Sequence, residues 1–271
     1  MFFTSIAART DLGLVRQGNE DSALYHPTLI AVADGMGGAV GGEIASRIAI
    51  RTLATFAPLI ANLRDDLDSQ SEILQEALSS IDKEIATEIS AHDQLAGMGT
   101  TLTALAASDD SVGLLHIGDS RAYRLRGGEL TRLSHDHTVI QELLDQGRIT
   151  EEEVADHPQR SVLTLALMGR GMSELAGGDD SSPAIHIYPA QQDDIYLLSS
   201  DGLNAVLSDE EIATIIESKP LDQAANNLIA ATRNGGAPDN VTVILAKFAP
   251  LEKSNKQLLK ESISFLGAAH E

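Results

Sequence analysis

Apolar positions along the chain fall into two kinds of pattern. From Glu43 to about Leu63, Ile44, Ile48, Leu53, Phe56, Leu59 and Ile60 recur at helical spacing with Arg47 and Arg51 between them. This predicts an amphipathic helix that Pro58 kinks or ends. A second stripe, Ile73, Leu74, Ala77, Leu78, Ile81, Ile85 and Ile89, predicts a helix over Ser69 to Ser90 that pairs with the first. Later, Ser208 with Glu211 forms a capping box for a helix to about Glu217, and Leu221 to Arg233 supplies another, closed by Gly235 and Gly236. Shorter helices are predicted over His137 to Gln146 and after Thr150, where Glu153 completes a second capping box.

Between the helices lie runs with strand character: Thr4 to Ala8, Leu29 to Ala33, Thr100 to Ala107, Val112 to Ile117, Ala122 to Leu125, Leu130 to Leu133, Ile185 to Tyr188, Ile195 to Leu198 and Val241 to Phe248. Gly127 and Gly128 mark a hairpin turn. Leu29 to Ala33 is apolar without alternation, which suits a strand covered on both faces, although so short a run also suits a helix. Many strands with two helix pairs imply layers of sheet and helix.

Composition narrows the class. The chain has 271 residues, 43% of them hydrophobic, with no low-complexity tract or linker, so residues 1–250 are expected to form one globular domain. Residues 251–271 read as a tail, either a short terminal helix or the stub of a linker. Without cysteine, thiolate metal sites and a cysteine nucleophile are excluded. Forty acidic against 19 basic residues give a net charge of −21, which opposes binding to nucleic acid or anionic membranes. No apolar run reaches the roughly 18 residues of a membrane helix, and the start lacks the features of a signal peptide. The expected location is cytoplasmic, and a soluble part of a longer membrane protein stays open.

Candidate chemistry begins at Asp34, which ends the Leu29 to Ala33 run and is followed by Gly35, Gly37, Gly38, Gly41 and Gly42. Taken alone, Asp34 reads equally well as a turn residue. Asp119, Asp201 and Asp239, however, also adjoin predicted strand ends, and Gly202 follows Asp201 as Gly35 follows Asp34. Carboxylates gathered at one end of a sheet repel one another unless cations neutralise them. An all-oxygen donor set suits Mg²⁺ or Mn²⁺ better than Zn²⁺ or copper. The loop before the Leu29 run adds Arg16, Glu20 and Asp21, charges of both signs in one place.

With these residues in view, Arg16-Gln17-Gly18-Asn19-Glu20-Asp21, Ala33-Asp34-Gly35-Met36-Gly37-Gly38, Gly99-Thr100-Thr101, Ile117-Gly118-Asp119-Ser120-Arg121, Ser200-Asp201-Gly202 and Pro238-Asp239-Asn240-Val241-Thr242 resemble the ordered motifs of the metal-dependent protein phosphatase 2C family in its bacterial form. Each motif alone is weak; their order and spacing from Thr4 to Phe248 make the signal specific. The resemblance implies an α+β fold, a four-layer α/β/β/α sandwich of two antiparallel sheets flanked by helix pairs. It further implies that Asp34 bridges two tightly bound Mg²⁺ or Mn²⁺ ions, that the Gly35 carbonyl, Asp201 and Asp239 complete that pair, that Asp21 and Glu20 hold metal-bound waters, and that Asp119 serves a weaker third ion. The implied activity is hydrolysis of phosphoserine and phosphothreonine in proteins by in-line attack of a hydroxide bridging two metals. The substrates would be those of a Ser/Thr kinase and the enzyme a monomer. Arg16 would grip the phosphate and stabilise the transition state.

The chain departs from some relatives in two places. Met36 stands where some carry a histidine proposed as proton donor, so the general acid is unassigned; His135 and His137 are expected to be structural, and Met36 to serve packing. Ala205 stands where many carry a further acid for the third ion, which is therefore expected to bind weakly. Residues 147–171 correspond to the family's variable flap, whose Glu151, Glu152, Glu153 and Asp156, set against Arg148, Arg160 and Arg170, form either a solvated face or a preference for basic phosphosites. A catalytically dead phosphoprotein-binding relative and a two-metal nuclease are the alternative readings; the retained acids oppose the first and the net charge the second.

Overall fold

In the computed structural model, which describes residues 1–37, 41–63, 66–154, 157–171, 184–250 and 263–270, the Leu29 run becomes β3 (Leu29–Met36). It is flanked antiparallel by β2 (Asp21–His26) and β5 (Leu102–Ala107). With partners on both edges and a layer against each face, residues 29–33 are all fully buried, which explains the missing alternation. Parity still sorts the side chains. Leu29, Ala31 and Ala33 enter a core shared with helices, whereas Ile30 and Val32 enter a second core between two sheets.

The sheet runs β12 (Ser264–Gly267), β2, β3, β5, β6 (Ser111–Ile117), β9 (Ala184–Pro189), with β4 (Gly99–Thr100) paired to the end of β3. Facing it is a five-stranded sheet in the order β1 (Phe2–Asp11), β11 (Val241–Ala249), β10 (Ile195–Ser199), β7 (Arg121–Arg126), β8 (Glu129–Arg132). Helices α1 (Gly42–Asn62) and α2 (Leu67–Ala91) cover the first sheet, burying Ala49, Ile50, Leu53, Leu74, Leu78 and Ile81 against it. Two short helices, α3 (Val139–Asp145) and α4 (Glu151–Val154), follow β8. After β10 come α5 (Asp201–Asn204), α6 (Asp209–Glu217) and α7 (Leu221–Asn234); Ile212, Ile216 and Leu228 pack on Tyr123, Leu197 and Val243 of the second sheet. The expected four layers are present, and Ser208 and Glu211 make the predicted reciprocal capping box.

Three details differ from the sequence reading. Pro58 lies inside α1 without ending it, on its exposed side, while its neighbours Ala57 and Ile60 stay buried in the core. By length and composition α1 also qualifies as a membrane span, yet its apolar stripe is spent on α2, β2 and β3. Finally, residues 264–267, expected as terminal helix or linker stub, form an edge strand beside β2. Phe265 packs toward the helix-side core and Leu266 toward the inter-sheet core, a two-residue alternation that a helix does not satisfy.

Because Ile30 is fully buried between the sheets, Ile30→Ala should lower unfolding free energy in urea by about 2–5 kcal/mol. A loss under about 1 kcal/mol would contradict the inter-sheet packing.

Candidate active site

Strand parity delivers the acids. Asp34 lies on the face of β3 shared with Ile30 and Val32, one step beyond the inter-sheet core, and Asp21 stands directly across from it on β2. Asp201 opens α5 immediately after β10, and Asp239 immediately precedes β11, the strand paired with β10. Asp119 follows β6. These ends meet at one edge of the sandwich in a cleft of about 310 Å³ lined by Arg16, Glu20, Asp34, Gly35, Met36, Thr101, Asp119, Ser161, Leu163, Asp201 and Asp239, among others. Asp21 does not line it. That carboxylate is fully buried behind Asp34, with Oδ2 accepting a 2.8 Å hydrogen bond from Ser200 Oγ.

Burial and mutual repulsion dominate the electrostatics. Asp34 is held well above the usual carboxylate range by burial first, then by Asp21, Asp201, Asp119 and Asp239. Burial pushes Asp119 to about 8, with Asp201 and Asp136 adding and Arg121 opposing. Burial likewise raises Asp21 to about 7 against hydrogen bonds from Thr242 and Ser200. Asp201 is raised by burial and then by Asp239, offset by a hydrogen bond with Asp34. Glu20 is raised by burial and then by Glu43. The cation on the rim is Arg16, whose Nη2 lies 2.6 Å from Asp239 Oδ2 and whose Nη1 lies 3.9 Å from Glu20 Oε2.

This arrangement fits divalent cations. Asp201 Oδ1 and Asp21 Oδ1 are buried without a hydrogen-bond partner, and an oxyanion so placed asks for a counter-charge. Gly35 sits so close to the Gly42 and Glu20 carbonyls that any Cβ would collide with Gly42 O, and Gly202 is pressed against Asn240 O in the same way. Among the described residues no group of three or more His, Asp or Glu side chains is placed to hold an ion by itself. Hard cations that keep several waters need only one or two carboxylates each, so the donor set suits Mg²⁺ or Mn²⁺.

Several motif residues that hold the acids have roles that only the fold reveals. Thr101 Oγ1 accepts the Asp34 N–H at 2.9 Å and lies 2.7 Å from Ser120 Oγ, while Thr100 Oγ1 donates to Asp34 O at 2.9 Å. The Asn240 side chain accepts from Glu20 N at 2.8 Å and donates to Leu12 O and Gly18 O at 2.9 and 3.0 Å, clamping the Arg16 loop to Asp239. Their signal was adjacency: a hydroxyl or amide next to an acid at a strand end.

The ambiguous residues resolve locally. His137 is buried, its Nδ1 accepting from Gly118 N at 3.0 Å while its ring stacks on His116, whose pKa burial lowers to about 3. His135 is exposed beside Asp145 at 2.8 Å. Neither lines the cleft. Met36 lines it and packs against Gly99. Ala205 is exposed, and Asn204 turns away to Tyr123 and Ser199. In the flap, Glu151, Glu152, Glu153, Arg148, Arg160 and Arg170 are exposed, and Asp156 lies outside the described residues.

Comparisons of the whole chain with known proteins agree with one another. A family model described as protein phosphatase 2C matches residues 17–239. The chain is 42% identical over 243 residues to the serine/threonine protein phosphatase PstP of Mycobacterium tuberculosis, covering 89% of this chain but only 44% of that protein's length. It is 34% identical to the serine/threonine phosphatase stp of Listeria monocytogenes, covering 88% of this chain and 94% of the relative. Among solved structures, the catalytic domain of a serine/threonine protein phosphatase PstP in complex with two manganese ions superposes with a TM-score of 0.76 at 38% identity, covering 92% of this chain and 99% of that one.

The raised carboxyl groups make stability fall as pH rises. Below the ordinary pKa near 3.9 both states are protonated and the groups cost nothing. Above it the unfolded chain loses its protons first, so folding weakens progressively until the folded values, about 7 for Asp21 and about 8 for Asp119, are passed. In EDTA the thermal midpoint should therefore drop between pH 5.5 and 8, and Mn²⁺ should recover much of the loss at pH 8. A midpoint that rises over this interval in EDTA would contradict the site's electrostatics.

Proposed function

Because the chain belongs to the protein phosphatase 2C family, we propose that it is a divalent-metal-dependent phosphatase of phosphoserine and phosphothreonine in proteins, acting on substrates of a Ser/Thr kinase. The observation that carries this reading is the cleft in which Asp34, Asp119, Asp201 and Asp239 converge with Arg16 on the rim. Asp34, the Gly35 carbonyl, Asp201 and Asp239 would hold two Mg²⁺ or Mn²⁺ ions, with Glu20 and Asp21 acting through water. When bound, two such ions supply a water acidified towards neutrality for in-line attack on phosphorus and neutralise phosphate charge.

The chain's own residues do the rest. Arg16 presents its guanidinium at the mouth of the cleft, where its fork of donors matches two phosphoryl oxygens and opposes the charge of the transition state. Its hydrogen bond to Asp239 fixes the guanidinium beside the acids. Asp34, with its backbone N–H held by Thr101 and its carbonyl by Thr100, keeps its carboxylate at one position through turnover. No imidazole among the described residues lines the cleft.

Hydrolysis of p-nitrophenyl phosphate should require Mn²⁺ or Mg²⁺, stop with EDTA and be abolished by Asp239→Ala. Arg16→Ala should lower kcat on the order of 10²-fold with little change in thermal midpoint. Hydrolysis that persists in EDTA would contradict the reading.

With Asp119 as the principal carboxylate for a third ion and a methyl group at Ala205, calorimetric titration with Mn²⁺ should resolve two tight sites and one much weaker. Asp119→Ala should remove only the weak one. Three equally tight sites would count against this assignment.

A further inference from the structure

Asp82 is a buried carboxylate for which the chemistry of the cleft has no use. It lies in α2 beside Leu78, Ile81 and Ile85 of the helix-side core, and only 3% of it is exposed. Both of its oxygens accept from backbone: Oδ1 from Gly169 N at 2.8 Å and Oδ2 from Gly171 N at 2.7 Å. An apolar side chain would suit the packing of this stripe. A carboxylate there costs desolvation free energy, which two charge-assisted hydrogen bonds offset.

The backbone that Asp82 holds has little conformational preference of its own. Gly169 and Gly171 have φ +69° and +89°, in a region that glycine enters freely and leaves as freely. Gly169 also lies so close to Ala86, one turn further along α2, that a Cβ would collide with the Ala86 backbone. Immediately before this anchor the chain becomes part of the cleft. Met168 lies against Gly99, and Leu167 exchanges two 2.9 Å backbone bonds with Thr100, whose hydroxyl brackets Asp34. Further back, Thr164 N donates to His137 O and Val139 N donates to Val162 O, and Ser161 and Leu163 line the cleft.

Resting on the reading of the cleft as a phosphate site, we propose that Asp82 is a positioning residue: by clamping Gly169 and Gly171 onto α2, it fixes the strip 161–168 as the wall of the cleft that receives the substrate. The acids do not need this clamp. They stand at strand ends, and Asp34 is bracketed by Thr100 and Thr101. The strip has backbone partners at Thr138 and Thr100, which hold Leu163 and Leu167. Its exit, with two positive-φ glycines in three residues, is left to Asp82. A phosphopeptide occupies more of the cleft than a small aryl phosphate does, so the clamp bears on peptide binding more than on phosphate chemistry.

The test reaches the clamp from both sides. Asp82→Ala removes both acceptors, and Gly169→Ala drives a methyl group into Ala86. The whole chain in Mn²⁺ is assayed on a phosphothreonine peptide and on p-nitrophenyl phosphate, with hydrogen exchange read at the Gly169 and Gly171 region. Each variant should lower peptide kcat/KM by about tenfold, the scale of one lost charge-assisted bond, through KM and not kcat. Turnover of p-nitrophenyl phosphate should change by less than about twofold, and exchange at the anchor should accelerate. Asp82→Asn keeps one acceptor oxygen and the side-chain volume; it should fall between wild type and Asp82→Ala, and it carries the same comparison if the alanine variant does not fold. Equal losses on both substrates together with a lower thermal midpoint would assign Asp82 to general packing and overturn the proposal. An unchanged peptide KM, or unchanged exchange at the anchor, would overturn it while leaving the phosphatase reading intact. Absence of p-nitrophenyl phosphate hydrolysis by the wild-type chain would overturn both.

Discussion

The structure depends on a repulsion it cannot relieve with its own atoms. Asp34, Asp119, Asp201 and Asp239 are drawn to one end of the sandwich by strand geometry, and Asp21 sits fully buried behind them. Burial raises the pKa of Asp21, Asp34, Asp119 and Asp201, and each is raised further by neighbouring carboxylates. Arg16, bonded to Asp239 at the rim, and Arg121, acting on Asp119 and Asp201, offset this only in part. In the proposed reading divalent cations would remove the penalty in one step, so the feature that weakens the fold at neutral pH would also give the cleft its chemistry.

Everything around the cleft serves to hold that unfavourable group together. Two sheets press an inter-sheet core of Ile30, Val32, Tyr196, Leu198 and Phe248 beneath it. Hydroxyls and one amide, from Thr100, Thr101, Ser200 and Asn240, fasten the backbone and side chains at the strand ends. Further out, Arg121 grips Asp136 through paired hydrogen bonds, and His137 fixes Gly118, so the turn carrying Asp119 is secured from both sides. A rigid shell of this kind allows charged groups to remain near one another without collapsing onto separate partners.

Much of this was legible in the sequence because the acids stand at the ends of strongly apolar runs. The stripe from Ile44 to Ile60, the capping box at Ser208 and the β-branched run from Val241 each announce an element by local chemistry, and the four layers follow from their order. What the sequence left open depends on contacts distant along the chain. Pro58 looks like a stop until Ala57 and Ile60 are seen packed in the core. Residues 264–267 look like a tail until the free edge of β2 offers them a partner. Asp21 and Glu20 are adjacent in sequence and read alike, yet β2 sends Asp21 into the core behind Asp34 and leaves Glu20 in the cleft. Likewise, Asp82 reads as one more polar position beside the Ile81 and Ile85 stripe until the chain returns to α2 and presents the N–H groups of Gly169 and Gly171.

The central claim, that divalent cations compensate buried carboxyl groups, is tested most directly by counting the protons released when Mn²⁺ binds. Titration calorimetry at pH 6.5 in two buffers of different ionisation enthalpy gives that number. With Asp21 raised to about 7 and Asp119 to about 8, both groups are largely protonated at this pH, and saturation should expel more than one proton per chain. Binding with no proton release would show that the carboxylates are already ionised without the metal and would contradict the account.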